Sequence, residues 1–280
     1  MRGSSRAHLM EDSDAQLWVV KFKNNPHGRR VLASELLAGR LANRVGLTVP
    51  ECDKVHVSER LIQETPDLVM RFEGLEEPCE PGWQLGSRYI GEGMVAPVRN
   101  CIDLKQLCSA ENLKEFAGML AFDKWTENID GREVLFVRNN LRKRYTAVFV
   151  DHGHCFHAGR WCFEDVPLRG AYARNEPYAK VNGWPSFEPW LGRIEHLHPD
   201  VVREIAGSIP EEWYYGRLSE LNELVRLLLE RRGGVRRLIQ EFGNSERIPF
   251  PLWIRKRGSL DQDEWNRRAA SASSSLVQWR

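Results

Sequence analysis

Apolar and polar positions divide the chain into a strand-rich first third and a helix-rich remainder. Residues 16–23, QLWVVKFK, carry β-branched and aromatic side chains between the polar stretches EDSDA and NNPHG, which predicts a strand. A period of two puts Leu17, Val19 and Lys21 on one face and Trp18, Val20 and Phe22 on the other, so Lys21 stands among apolar neighbours. After a turn at 24–28, Leu37, Leu41 and Val45 recur at i, i+4 and i+8, with Gly46 and Pro50 as stop signals. This predicts a helix that contains Glu35. Residues 53–72 read as one or two strands, and 73–93, rich in Gly and Pro, as a connector with a boundary near Gly86.

Further along, Ser109 reads as the N-cap of a helix carrying Leu113, Phe116, Ala117 and Leu120 on one stripe and ending in WTENIDG. Two short apolar runs, 133–138 and 145–150, flank the polar NNLRKR and predict a β-hairpin, with DHGHCF directly after its second strand. Residues 160–190 are irregular and aromatic, 199–206 read as a short helix, and 217–232 as a longer one with Leu218, Leu221, Val225, Leu228 and Leu229 on one face. The Ser/Ala-rich stretch after about residue 258 predicts a flexible tail. The expected organisation is α+β, with regions at 1–86, 87–258 and 259–280.

Composition narrows the function classes. The chain has 280 residues, 42% of them hydrophobic, and Lys+Arg 40 against Asp+Glu 39 leaves a formal charge of +1. No global basic field indicates a nucleic-acid or membrane-surface partner. Apolar stretches such as 146–150 and 227–229 fall far short of the roughly 18 residues needed to span a bilayer. The first residues, MRGSSRAHLMEDSD, lack an apolar signal core, so a cytoplasmic location is expected. Six cysteines without a CxxC spacing read as reduced thiols.

The order of the chemistry-bearing parts is informative: a strand Lys, a helix Glu, a connector, a helix ending in an Asp-bearing loop, a hairpin and an Asp-x-Gly. Kinase folds use such parts to contact nucleotide phosphates, position a nucleophile and bind magnesium. The candidates are Lys21, Glu35, Asp130 and Asp151, and the hairpin returns the chain so that both aspartates would face one cleft. Each has a structural alternative: a snorkelling strand lysine, a helix glutamate paired with Arg40, an Asp-Gly turn and a strand-ending cap. A rival constellation, Asp151, His152, His154, Cys155, His157 and Cys162 with His196 and His198 later, has the residue types of a zinc or iron site and would make a metal-dependent hydrolase.

The chain resembles HipA-like kinases, particularly small bacterial proteins that consist mainly of this domain. The resemblance lies in GSSRAHLM, LWVVKFKNNPHGRRVLASELLAGRLANRVGLTVPE, LGSRYIG, FDKWTENIDGREVLFVR, YTAVFVDHGHCF, EEWYYG and LLERRGGVRRLI, and covers about residues 3–255. It implies a two-lobed kinase-like fold with a small β-rich N-lobe and a mainly helical C-lobe, binding ATP and Mg2+. The expected reaction is transfer of the γ-phosphoryl group to a hydroxyl, with a protein Ser/Thr favoured. On this resemblance Lys21 contacts phosphates, Glu35 is its partner, Asp130 is the catalytic base and Asp151 binds magnesium. Ser4 and Ser5 would lie in a nucleotide-covering turn, and 84–90, with Arg88 and Tyr89, would form the hinge beside the adenine. Leu135 stands where the family and the similar phosphatidylinositol kinases carry a metal-binding Asn, and Arg132 where lipid kinases carry a His. The nearby amides are Asn128, Asn139 and Asn140. The alternative is therefore a pseudokinase that binds nucleotide without turnover.

Overall fold

The computed structural model describes residues 6–72, 74–91, 97–138 and 143–253. Ser4, Ser5, Asn139, Asn140 and the expected tail at 259–280 lie outside the described residues. In chain order the elements begin with β1 (His8–Glu11), β2 (Leu17–Lys21), α1 (Arg29–Arg44), β3 (Cys52–Val57), α2 (Glu59–Glu64), β4 (Val69–Phe72), β5 (Leu75–Pro78) and β6 (Gly82–Arg88). Then come α3 (Leu104–Cys108), α4 (Glu115–Thr126), the hairpin strands β7 (Glu133–Val137) and β8 (Thr146–Val150), and the single turn α5 (Cys155–Ala158). The helices α6 (Trp190–Glu195), α7 (Pro199–Gly207), α8 (Leu218–Arg231) and α9 (Val235–Gly243) close the described chain.

The N-terminal sheet is antiparallel in the order β1-β2-β6-β3, and its register sets Val20 opposite Gly86 and Lys21 opposite Leu85. The period of two holds: Trp18, Val20 and Phe22 are buried with Val57, Leu68, Met70 and Cys79 in a small core on one face. The other face, which carries Lys21 and Leu85, lies against α1. All six cysteines are unpaired.

Helix α1 is buried on every side, from Val31 through Gly39, and this is a departure from a simple amphipathic stripe. Its apolar residues join one large core with α4, the β7–β8 hairpin and the C-terminal helices. Polar ends tie it to both halves: Arg40 bonds Asp53 at 2.6 Å and Ser208 at 2.7 Å, and Arg30 pairs with Glu220. Helix α4, buried from Phe116 to Thr126, is the axis of the C-terminal half. Val134, Phe136, Ala147 and Phe149 of the hairpin join the same core, with the Phe149 ring edge-on to Phe116 at 5.2 Å.

Several expectations need correction. The segment 73–93 contains β5 and β6, and β6 lies between β2 and β3 in the sheet, so it is no connector. Gly86 sits inside that strand, and we propose the division between lobes after Arg88. The Gly and Pro content masked a strand because Gly82 takes a left-handed turn at φ 104° and opens the strand. Ser109 caps the end of α3 and does not start α4. Helices α2, α3, α6 and α9 are further departures from the sequence expectations; α2 buries no residue, so no apolar period marks it. Among the described residues no helix is long and apolar enough to cross a membrane.

The close approach of α4 and α6 makes one stability prediction. A Cβ on Gly118 would stand 2.3 Å from Cδ2 of the buried Trp190 ring. Gly118→Ala should destabilise the protein by about 1 to 3 kcal/mol despite the gain in helix propensity, because the ring has no room to yield. Chemical denaturation monitored by tryptophan fluorescence measures this.

Candidate functional site

Strand β2 delivers Lys21 to the sheet face that meets α1, and α1 presents Glu35 from its second turn. The Lys21 ammonium donates to Glu35 Oε2 at 2.6 Å and to Asp151 Oδ1 at 3.2 Å. Asp151 follows β8, so this ammonium joins the N-terminal sheet, the central helix and the C-terminal hairpin at one point. Burial alone would lower the Lys21 pKa, but the Glu35 and Asp151 carboxylates outweigh it and raise it. Burial likewise opposes charge on Asp151, yet Lys21, His154 and Arg132 together hold its pKa below the ordinary carboxylate value. Glu35 is pushed up by burial, against the pull of Lys21.

Asp151 takes a left-handed backbone conformation, φ 56°, which a residue with a Cβ adopts only when its surroundings hold it there. Arg132 supplies that support. Its Nη1 donates to the carbonyls of Val150 at 2.7 Å and Asp151 at 3.1 Å, while its remaining face grips Asp123, with Nε 3.0 Å from Oδ2. The Arg132–Asp123 pair is sealed from solvent. Asn128 bonds Asp123 through its amide at 3.2 Å and accepts the Asp130 N–H at 3.1 Å, so the same buried pair also shapes the Asp130 loop. Asp130 itself points outward, its side chain 64% exposed, with His154 Nε2 4.0 Å from Oδ2.

Gly153 completes the Asp-x-Gly for a steric reason. A Cβ there would lie 2.6 Å from Val31 Cγ1 and 3.3 Å from Glu35 Oε2, so only glycine lets the hairpin end press against α1. Glu133 opens β7 opposite Val150, and the register puts Leu135 opposite Val148. Burial raises the Glu133 pKa, the Asp151 charge adds to this, and Lys21 and Arg132 oppose it.

The structure thus brings Lys21, Glu35 and Asp151 into contact, while Asp130 lies outside that contact, with His154 Nε2 4.0 Å from its carboxylate. It does not bring in the Arg88 side chain, which shares a sheet face with its partner Trp18, opposite to Lys21, and stacks 5.5 Å from that ring. The Tyr89 N–H donates to Leu17 O at 2.9 Å, an extension of the β2–β6 pairing. The histidine cluster does not converge. His152 is buried against Phe122, His154 faces Asp130 and His27, and His157 faces Glu164 at 3.6 Å. Among the described residues no group of three or more His, Cys, Asp or Glu could hold a metal ion, which corrects the hydrolase alternative. The oxygen donors around Lys21 fit a hard divalent cation such as Mg2+, completed by substrate oxygens and water, better than zinc.

The profile of the HipA-like kinase family matches residues 1–231. The chain belongs to the HipA-like kinase family. Among solved structures, the Helicobacter pylori proinflammatory kinase CtkA is 13% identical, with 86% of this chain and 92% of that chain covered and a TM-score of 0.50. The Golgi casein kinase is 12% identical, with 88% and 73% covered and a TM-score of 0.50. At such identities these likenesses establish the kinase fold: a small β-sheet lobe and a helical lobe. No curated protein sequence matches the chain. The family and fold are those of kinase-like phosphotransferases.

Sequence reading does not single out Arg132 as the support beneath Asp151 or Glu133 as a charge near it. One signal was available: Asp123 is an acidic residue inside the apolar run MLAFDKW, and a buried carboxylate demands a cationic partner. Glu133 gave no such signal, since an acidic residue at a strand start is ordinary.

His152, between Asp151 and Gly153, makes a pH prediction. It is 2% exposed, its Nε2 has no hydrogen-bond partner, and burial holds its pKa well below the ordinary value. Below a pH of about 6.5 the unfolded chain binds a proton here that the folded chain refuses, so stability falls with pH by up to about 1.4 kcal/mol per unit. His152→Phe should keep the packing on Phe122 and flatten this loss between pH 7 and 5, as urea melts across that range would register.

Proposed function

We propose that this protein binds ATP with Mg2+ between its lobes and transfers the γ-phosphoryl group to a hydroxyl, with a protein Ser or Thr as the favoured acceptor. The observation that carries this reading is the Lys21 ammonium shared by Glu35 and Asp151 across the junction of strand, helix and hairpin. Lys21 would bind the phosphate tail while Glu35 holds its ammonium in place, and Asp151 would offer its carboxylate to the cation. A bound magnesium would neutralise phosphate charge. Asp130, exposed at the mouth, would accept the proton of the attacking hydroxyl. The hydroxyl oxygen forms a bond to the γ-phosphorus as the bond from that phosphorus to the bridging oxygen breaks, and ADP leaves. Backbone of the 84–90 segment, and not the Arg88 side chain, would approach the adenine. We place the reaction in the cytoplasm.

A second reading, nucleotide binding without turnover, is favoured by Leu135, a half-buried apolar residue where the family carries its amide ligand. Calorimetry with Mg-ATP and an ATP-turnover assay separate the two: binding with turnover supports the kinase, and binding alone the pseudokinase.

Asp151→Ala should weaken Mg-ATP binding at least about tenfold while the protein stays folded, because a cation ligand is lost from an accessible position. Lys21→Met should weaken ATP by a similar factor, ADP less and adenosine least, because its contacts are to phosphates. Unchanged Mg-ATP affinity in both folded variants would sink the nucleotide-site reading.

A further inference from the structure

We propose that Glu133 is the second protein ligand of the divalent cation, taking the part of the amide absent at Leu135; the inference rests on the nucleotide-site reading above. The hairpin register is the first argument. Glu133 pairs with Val150, the residue before Asp151, whereas Leu135 pairs with Val148. At about 3.3 Å per residue, Leu135 is set roughly 7 Å further along the hairpin from the Asp151 end than Glu133. Glu133 is therefore the residue of β7 that lies nearest the Asp151 end of the hairpin.

The alternation of β7 is the second argument. Val134 and Phe136 turn into the core, so Glu133 and Leu135 share the opposite face, and Glu133 stays accessible to solvent. The Glu133 carboxylate senses Asp151, Lys21, Asp130 and Arg132, the charged groups of the site.

The third argument is charge. Lys21 is committed to Glu35 and Asp151, and Arg132 to Asp123. Among the described residues the Glu133 carboxylate has no hydrogen-bond or ion-pair partner, although the charges of this network act on it. Two carboxylates, Glu35 and Asp151, thus share one ammonium, and Glu133 adds a further negative charge that no cation of its own offsets. A cation joining Asp151 and Glu133 balances that excess, and carboxylate oxygen is the donor type that hard divalent cations take. The loop also agrees: only Gly131 and Arg132 separate Asp130 from Glu133, and β7 begins at Glu133 itself. Arg132 anchors that short loop to Asp123, so the strand starts at the site and the longer Glu side chain can reach inward.

The test titrates Mn2+ into the full chain at saturating ADP, with free Mn2+ read by electron paramagnetic resonance and ADP affinity measured separately in chelator. Glu133→Gln is expected to weaken Mn2+ at least tenfold, to leave metal-free ADP affinity within about twofold of wild type, and to keep the melting temperature. Asp151→Asn serves as the reference for loss of a ligand. Wild-type Mn2+ affinity in Glu133→Gln alongside loss in Asp151→Asn would overturn the Glu133 assignment and leave the nucleotide reading standing. Absence of ADP-dependent Mn2+ binding in the wild-type protein would overturn both.

Discussion

The Lys21 ammonium is the point on which three separately built pieces of chain converge. A sheet residue carries it, and a helix residue 14 positions on and a residue after a hairpin 130 positions on share it within 3.2 Å. A buried lysine without partners would shed its proton; two carboxylates keep it charged and make the charge useful. The contact also constrains the backbone. Gly153 has to be a glycine because the hairpin end must come close enough to α1 for Asp151 to reach the same ammonium as Glu35.

Beneath that contact lies a second ion pair, Arg132 with Asp123, fully removed from water. Burying both charges is expensive, and such a pair persists where it orders its surroundings. Here its hydrogen bonds reach the carbonyls of Val150 and Asp151 and, through Asn128, the N–H of Asp130. One buried guanidinium thus supports the loops of both aspartates. That gives Arg132 a structural purpose at a position where lipid kinases carry histidine, and it accounts for the short, tightly tied loop before β7.

The central helix packs against both halves. Because α1 is buried on all sides, its apolar residues belong to the large C-terminal core while its Glu35 serves the N-terminal strand. A helix shared in this way links the C-terminal core to Lys21 through Glu35. The family match over residues 1–231 agrees with a unit that includes both sides of α1 and all of α8.

Sequence alone determined the elements with strong periods and the order of the charged residues. The strand bearing Lys21, the helix bearing Glu35 and the β7–β8 hairpin before Asp151 were all legible, because a period of 2 or 3.6 is a local property of the chain. The resemblance to HipA-like kinases rested on the same stretches. What was illegible depended on contacts between distant segments. Strand β6 looked like a linker because Gly and Pro lower strand propensity, yet its place between β2 and β3 gives its backbone partners on both sides. Arg88 looked like a hinge contact until register put its side chain on the face opposite Lys21. The histidines looked like a metal cluster because they are close in sequence, but the left-handed turns at Asp151 and at Phe156 to Ala158 send them in different directions. Glu133 could be placed beside Asp151 only by strand pairing, because which residues face each other across a hairpin is set by register, and the loop that sets it carries no periodic signal.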